Sequence, residues 1–200
     1  KLLALDGGTN LLLEAHNNAG HYAETDSLRK DLRVVRVFQS LLAPGDAVLD
    51  IGSNIGRMAV LASRLVGPNG QVAAFEPSPK VITSLFRNVA LNGCGNVTIH
   101  PVAVSDECAT LPFFIPIGSE SACSSLRKNV AEQCIKMDVP SITIDELCRS
   151  QKTLKLIKID VEGADLRVVR GAGETIARLK PVIVLEFSPD WIRQLGDDPA

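Results

Sequence analysis

The sequence predicts an α/β domain on a doubly wound, mostly parallel sheet, and three observations lead there. From Ala47 onward, short apolar runs of strand length alternate with apolar helical stripes in the order β-α-β-α-β. The first run, ending Asp50-Ile51, passes through Gly52-Ser53-Asn54-Ile55-Gly56 directly into a helical pattern, a strand, tight turn and helix whose first N–H groups face a ligand seat. Four apolar runs then end in acids, Asp50, Glu76, Asp160 and Glu186, which sets carboxylates along the cleft outside the strands' carboxyl ends.

Taken in order, the apolar runs at 1–5 and 11–15 flank a glycine turn and predict a hairpin. Residues 24–42 predict a helix, with Leu28, Leu32, Val35, Phe38, Leu41 and Leu42 at helical spacing and Pro44-Gly45 closing it. Residues 1–44 thus form a cap on a core spanning 45–200, one domain in all. Past the turn, Met58, Ala59, Leu61, Ala62, Leu65 and Val66 leave little polar face, so this helix packs deeply before Gly67-Pro68 stops it. A strand at 71–75 follows. Ser78 caps the next helix with Pro79 at its first position, Ile82, Leu85, Phe86 and Val89 are its buried stripe, and Asn92-Gly93 ends it.

A third strand lies at 97–99. Between Val102 and Asp145 the alternation lapses into a β insertion, with strands at 111–115 and 135–144 and an exposed, Ser-rich loop at 118–125. The insertion either walls off an acceptor site or decorates the sheet edge. Regularity returns with a strand from Leu154 to Asp160, a short helix through Val169, and a last strand at 181–185 that ends in Glu186.

Composition narrows the function. The chain has 200 residues, 46% of them hydrophobic, with a net charge of −2 and scattered Lys and Arg. No basic stripe recommends nucleic acid or an anionic membrane, so a small molecule is the expected partner. The five cysteines form no Cys-x-x-Cys pair and have no His at ligand spacing, so they predict reduced packing residues and no metal site. His16 and His21 fall in a loop-like stretch, and His100 ends a strand pattern either packed or facing the cleft. With no apolar run near the ~18 residues of a membrane span and no leader pattern, a soluble, cytoplasmic protein is expected.

The turn carries Asn54 where a dinucleotide fingerprint has its middle glycine, and Asn tolerates the left-handed region. Gly52 and Gly56 supply positive φ and let a ligand approach the main chain. Glu76, about twenty residues on and followed by Pro77, suits a ribose diol, since one carboxylate accepts from both hydroxyls. At this point NAD and S-adenosylmethionine fit equally. Glu162 lies beside Asp160, and Lys158 shares a strand face with Asp160 by the period of two.

These residues carry a resemblance. Asp-Ile-Gly-Ser-Asn-Ile-Gly at 50–56, Phe-Glu-Pro-Ser-Pro at 75–79, Asn88 with Leu91-Asn92, Ala103-Val104-Ser105-Asp106, Ser124-Ser125-Leu126, Lys-Ile-Asp-Val-Glu-Gly at 158–163, Gly171 and Glu186 together resemble the FkbM family of S-adenosylmethionine-dependent methyltransferases. The resemblance implies a Rossmann-like class I methyltransferase fold. It implies that Gly52, Ser53, Asn54 and Gly56 seat the methionine part, Asp50 its amino acid end, Glu76 with Pro77 the ribose, and Val102-Ala103 the adenine. The acceptor is then a small polar molecule such as a sugar or polyketide hydroxyl, with Asp160, Glu162 and Glu186 as candidate bases and Lys158 acting among them or pairing with them. Mg²⁺ at these carboxylates stays open. Such enzymes usually finish with a further helix and an antiparallel strand pair, so with Pro199-Ala200 last the sheet edge is expected to be incomplete. Two rivals remain. An NAD-dependent oxidoreductase needs a Tyr/Lys or His hydride site, and the only tyrosine, Tyr22, lies outside the nucleotide fold. A non-catalytic binding module is disfavoured by the intact acids.

Overall fold

A computed structural model describes residues 2–4, 10–13, 25–117, 124–126 and 133–199. An antiparallel pair, β1 (Leu2–Ala4) and β2 (Asn10–Leu12), precedes helix α1 (Thr25–Leu41). The core follows as β3 (Ala47–Ile51), α2 (Arg57–Val66), β4 (Gln71–Phe75), α3 (Ile82–Leu91) and β5 (Val97–His100). The insertion contributes β6 (Ala103–Val104), β7 (Thr110–Pro116), β8 (Cys134–Ile142) and α4 (Ile144–Leu147). The chain then returns through β9 (Leu156–Ile159), α5 (Asp165–Arg170), α6 (Gly173–Leu179), β10 (Val182–Leu185) and α7 (Pro189–Gln194). The central sheet is parallel throughout, in the order β10-β9-β3-β4-β5, and β6-β8-β7 form a separate three-stranded sheet.

Both faces of the central sheet are covered, which is why its strands read as continuous apolar runs. Val48, Val72, Ala74 and Leu156 turn to one side and pack with Phe38, Met58, Ala62, Leu85 and Val89 from α1, α2 and α3. Ala47, Leu49, Ile51, Ile157 and Ile159 turn to the other, against Ile144, Val168 and Ala172. Burying each Val, Leu or Ile contributes about 1.5–3 kcal/mol. The period of two places Asp50 and Lys158 on the Val48 face at the upper end of their strands, and the two are register partners across β3 and β9. The top of an otherwise apolar layer is therefore an ion pair.

The hairpin docks on α3 through carboxamides. Asn88 Oδ1 accepts from the Leu12 N–H at 2.6 Å while its Nδ2 donates to Ile55 O at 2.8 Å. One helical turn on, Asn92 Oδ1 accepts from Asn10 N–H at 3.0 Å and Nδ2 donates to Asn10 O at 2.7 Å. Two side chains spaced i, i+4 thus pair with the edge of β2 as a neighbouring strand would.

Several expectations are corrected. Helix α3 starts at Ile82 and not at Pro79, because 78–81 form a turn in which Ser78 O accepts from Val81 and Ile82, and the Ser78 hydroxyl caps nothing. Phe86 is exposed, since the face of α3 turned inward carries Leu85, Asn88 and Val89. Leu32 is likewise exposed on α1. Strand β8 stops at Ile142, where the Thr143 hydroxyl accepts from Glu146 N–H and opens α4. Ser125 is buried and paired with Phe114, not an exposed loop residue, while 118–123 lie outside the described residues with Cys123. His16, His21 and Tyr22 also lie outside them. Among the described residues no helix is long and apolar enough to cross a membrane.

Candidate active site

A cavity of about 340 Å³ opens at the carboxyl ends of β3, β4, β9 and β10. Gly52, Ser53 and Asn54 form part of its floor, Glu76 and Pro77 one side, Val102 and Ala103 the adjoining wall, and Asp160, Glu162, Glu186 and Lys158 the opposite side. Phe113 and Leu126 of the insertion also line it, so the insertion is wall and not edge decoration.

The turn is held from within. Gly52 and Ser53 N–H both donate to Phe75 O, Asn54 N–H donates to Glu76 Oε2 at 2.9 Å, and Gly56 N–H donates to Ser53 O. Protein acceptors thus satisfy these four amides of the turn itself. The glycines answer a similar demand. Gly52 (φ 74°) leaves no room for a Cβ because one would overlap the Asp160 carbonyl, and at Gly56 (φ 92°) a Cβ would stand 2.6 Å from Leu85 Cδ1. Their missing side chains make room for protein, not for a ligand.

Glu76 is buried, with Oε1 accepting from Ser78 N–H at 2.8 Å and Oε2 from Asn54 N–H. Burial raises its pKa to about 7 against the lowering effect of those two N–H groups. Lys158, also buried, donates to Gly52 O at 2.8 Å and lies 3.4 Å from Asp50 and 3.3 Å from Asp160. Despite desolvation, those two carboxylates hold its pKa above the usual lysine range. Asp50 is fully buried, and neither of its oxygens makes a hydrogen bond. Of the residues expected at the cofactor, Asp50 and Gly56 do not line the cavity: Asp50 is the buried counterion of Lys158, and Gly56 faces Leu85.

At the far side, Asp160, Glu162 and Glu186 bring carboxylate oxygens within 4.8 Å of one another. Loss of hydration, then the charge of Asp160, raises the Glu186 pKa to about 7. Glu162 is set there by a left-handed backbone (φ 57°), followed by Gly163 (φ 105°), whose open side is filled by Trp191 of α7. Sequence reasoning missed Trp191, and the available signal was Ser188-Pro189, a helix start just past the β10 acid. His100 stacks on Phe75 with centroids 4.7 Å apart and stays out of the cavity wall.

The donor set suits an adenosyl cofactor. Glu76 keeps lone pairs for a ribose diol, and the acids suit a cationic sulfonium.

Comparison with known proteins agrees. The sequence profile described as "Methyltransferase FkbM domain" matches residues 50–199. Methyltransferase sdnD of Sordaria araneosa is 29% identical over 177 residues, covering 73% of this chain and 68% of that protein. The 2-O-methyltransferase NoeI of Sinorhizobium fredii is 28% identical over 197 residues, covering 89% and 79%. The crystal structure of a SAM-dependent O-methyltransferase from Thermotoga maritima superposes with a TM-score of 0.51 at 14% identity, covering 97% of this chain and 59% of that one, a likeness of fold.

Proposed function

This chain belongs to the FkbM family of S-adenosylmethionine-dependent methyltransferases, and from that premise we propose that it methylates a hydroxyl oxygen of a small polar acceptor. The observation that carries the reading is the meeting of Asp160, Glu162 and Glu186 within 4.8 Å, across the cavity from Glu76. S-adenosylmethionine supplies an electrophilic methyl group on a sulfonium, open to in-line attack by an oxygen. Glu76 would accept from the ribose hydroxyls, the 52–54 turn would border the methionine part, and Val102-Ala103 would border the adenine. The acceptor would lie over the acids, its hydroxyl hydrogen-bonded to one of them and held at attacking distance. Glu186 is the favoured proton acceptor, because burial and the Asp160 charge beside it raise its pKa and so make its carboxylate a stronger base than an isolated one. Lys158 would hold Asp160 in place beside it.

A relative named as a 2-O-methyltransferase supports oxygen as the acceptor atom. Oxygen ligands at this spacing also favour a second role for the acids, holding Mg²⁺. Calorimetry with S-adenosylhomocysteine and NAD, then transfer of a labelled methyl group to a panel of hydroxyl and amine acceptors with and without chelator, tests the reading. Tighter binding of NAD, or transfer only to amines, overturns it. Loss of transfer on chelation assigns the acids to metal.

A further inference from the structure

We propose that Asp165 is the positioning residue of the acid cluster: it holds Glu162 beside Asp160 and Glu186, and so acts on methyl transfer through a neighbour it fixes. The proposal rests on the hydroxyl-methylating reading above. Two of the three acids are set by the sheet. The Asp160 N–H donates to Ile51 O at 3.1 Å and the Glu186 N–H to Ile159 O at 3.0 Å, each adding one rung to a parallel ladder. Glu162 lies two residues past its ladder, with a left-handed backbone (φ 57°) that a residue bearing a side chain keeps only where its surroundings over-determine it.

Asp165 supplies that constraint from behind. It is 1% exposed and does not line the cavity, whereas Val161, Glu162 and Ala164 do. Its Oδ2 accepts from the Gly163 N–H at 3.1 Å and its Oδ1 from the Val161 N–H at a longer 3.4 Å. These two N–H groups stand on either side of Glu162 in the chain. One carboxylate therefore fixes the peptide planes before Val161 and after Glu162, and with them the direction in which Glu162 leaves the backbone. Its own anchor is α5, of which it is the first residue and whose Val168 is buried in the core. Asparagine has the same shape but a single acceptor oxygen, and its NH₂ would oppose one of the two amides.

The first test needs no acceptor. In crystals of Asp165→Asn with S-adenosylhomocysteine, Glu162 should leave the left-handed region and its carboxylate should leave the cluster, while Asp160 and Glu186 keep their places. Should that variant not fold, hydrogen exchange of the unaltered protein decides: the Gly163 N–H should exchange at least about tenfold more slowly than an unstructured glycine amide. Labelled S-adenosylmethionine with glycerol, methyl glucoside and phenol as acceptors reads the function. Asp165→Asn should lower kcat about tenfold or more with S-adenosylhomocysteine affinity within about threefold. Added to Glu162→Gln it should lower kcat no further, since nothing is left to position; a residue that only stabilises the fold would not show this coupling. If Glu162 keeps its place in Asp165→Asn, or the Gly163 amide exchanges freely, or the two losses in kcat multiply, Asp165 is not the positioning residue and the methyltransferase reading stands. If S-adenosylhomocysteine does not bind the unaltered protein, both fall.

Discussion

The Asn54 N–H donates to the Glu76 carboxylate at 2.9 Å, tying the turn after β3 to the acid after β4 across 22 residues of chain. One carboxylate thus shapes the floor and, on the proposed reading, holds the ribose. Glu76→Ala should weaken S-adenosylhomocysteine binding by about 1.5–3 kcal/mol, the range for a hydrogen bond to a charged group. The pH dependence has a definite sign. A carboxyl raised from 4.5 to about 7 holds its proton more tightly in the folded chain, so raising the pH through that window removes stability from the ligand-free protein. A diol prefers the ionised form, so binding should weaken as pH falls below about 7. Calorimetry across pH should find that dependence flattened in Glu76→Gln.

Lys158 and Asp50 share one buried layer. Lys158→Met should cost about 3–5 kcal/mol in urea unfolding, because it leaves the Asp50 carboxylate buried without its counterion. Asp50→Asn in the same chain should recover most of that loss, which a double-mutant cycle reads directly. A double variant as unstable as Lys158→Met alone would mean that the lost bond to the Gly52 carbonyl dominates.

Among the acids, Glu186→Gln should cut turnover by about 10²–10⁴-fold with S-adenosylhomocysteine affinity nearly unchanged. Asp160→Asn should act differently. It removes a negative charge that raises the Glu186 pKa, so the acidic limb of the kcat/KM profile should move to lower pH. Full turnover in Glu186→Gln would assign the proton to Asp160 or Glu162, and their amide variants separate the two.

Asn88→Ala removes three hydrogen bonds, to Leu12 N–H, Leu12 O and Ile55 O. Loss of about 1–3 kcal/mol is expected, since the β2 edge and the Ile55 carbonyl lose their partner together. Hydrogen exchange should speed up at Leu12 while the β4 amides stay protected.

Much of this was legible because two periodicities meet at one turn. The alternation around Asp50 and Glu76 marks strands buried on both faces, and Glu76, Asp160 and Glu186, each just past a strand end, mark the rim. The rest depended on neighbours remote in sequence. Nothing near Gly52 shows that the Asp160 carbonyl fills its side-chain space, and nothing near Asp50 shows that β9 brings Lys158 into register with it. The α3 stripe misled at Phe86 because an apolar pattern cannot reveal that Asn88 is the inward residue, its polarity answered by backbone from elsewhere. Trp191 escaped because its place beside Gly163 depends on where β10 delivers the chain.

The carboxamides of Asn88 and Asn92 read only main-chain groups of β2, never its side chains. The amides therefore fix only how the segment is extended, and its sequence is read by burial of Leu11 and Leu13 against Ile55 and Val81. A segment of the right extension but with polar residues at those two places would be gripped by the amides and still leave Ile55, inside the nucleotide turn, without its apolar cover.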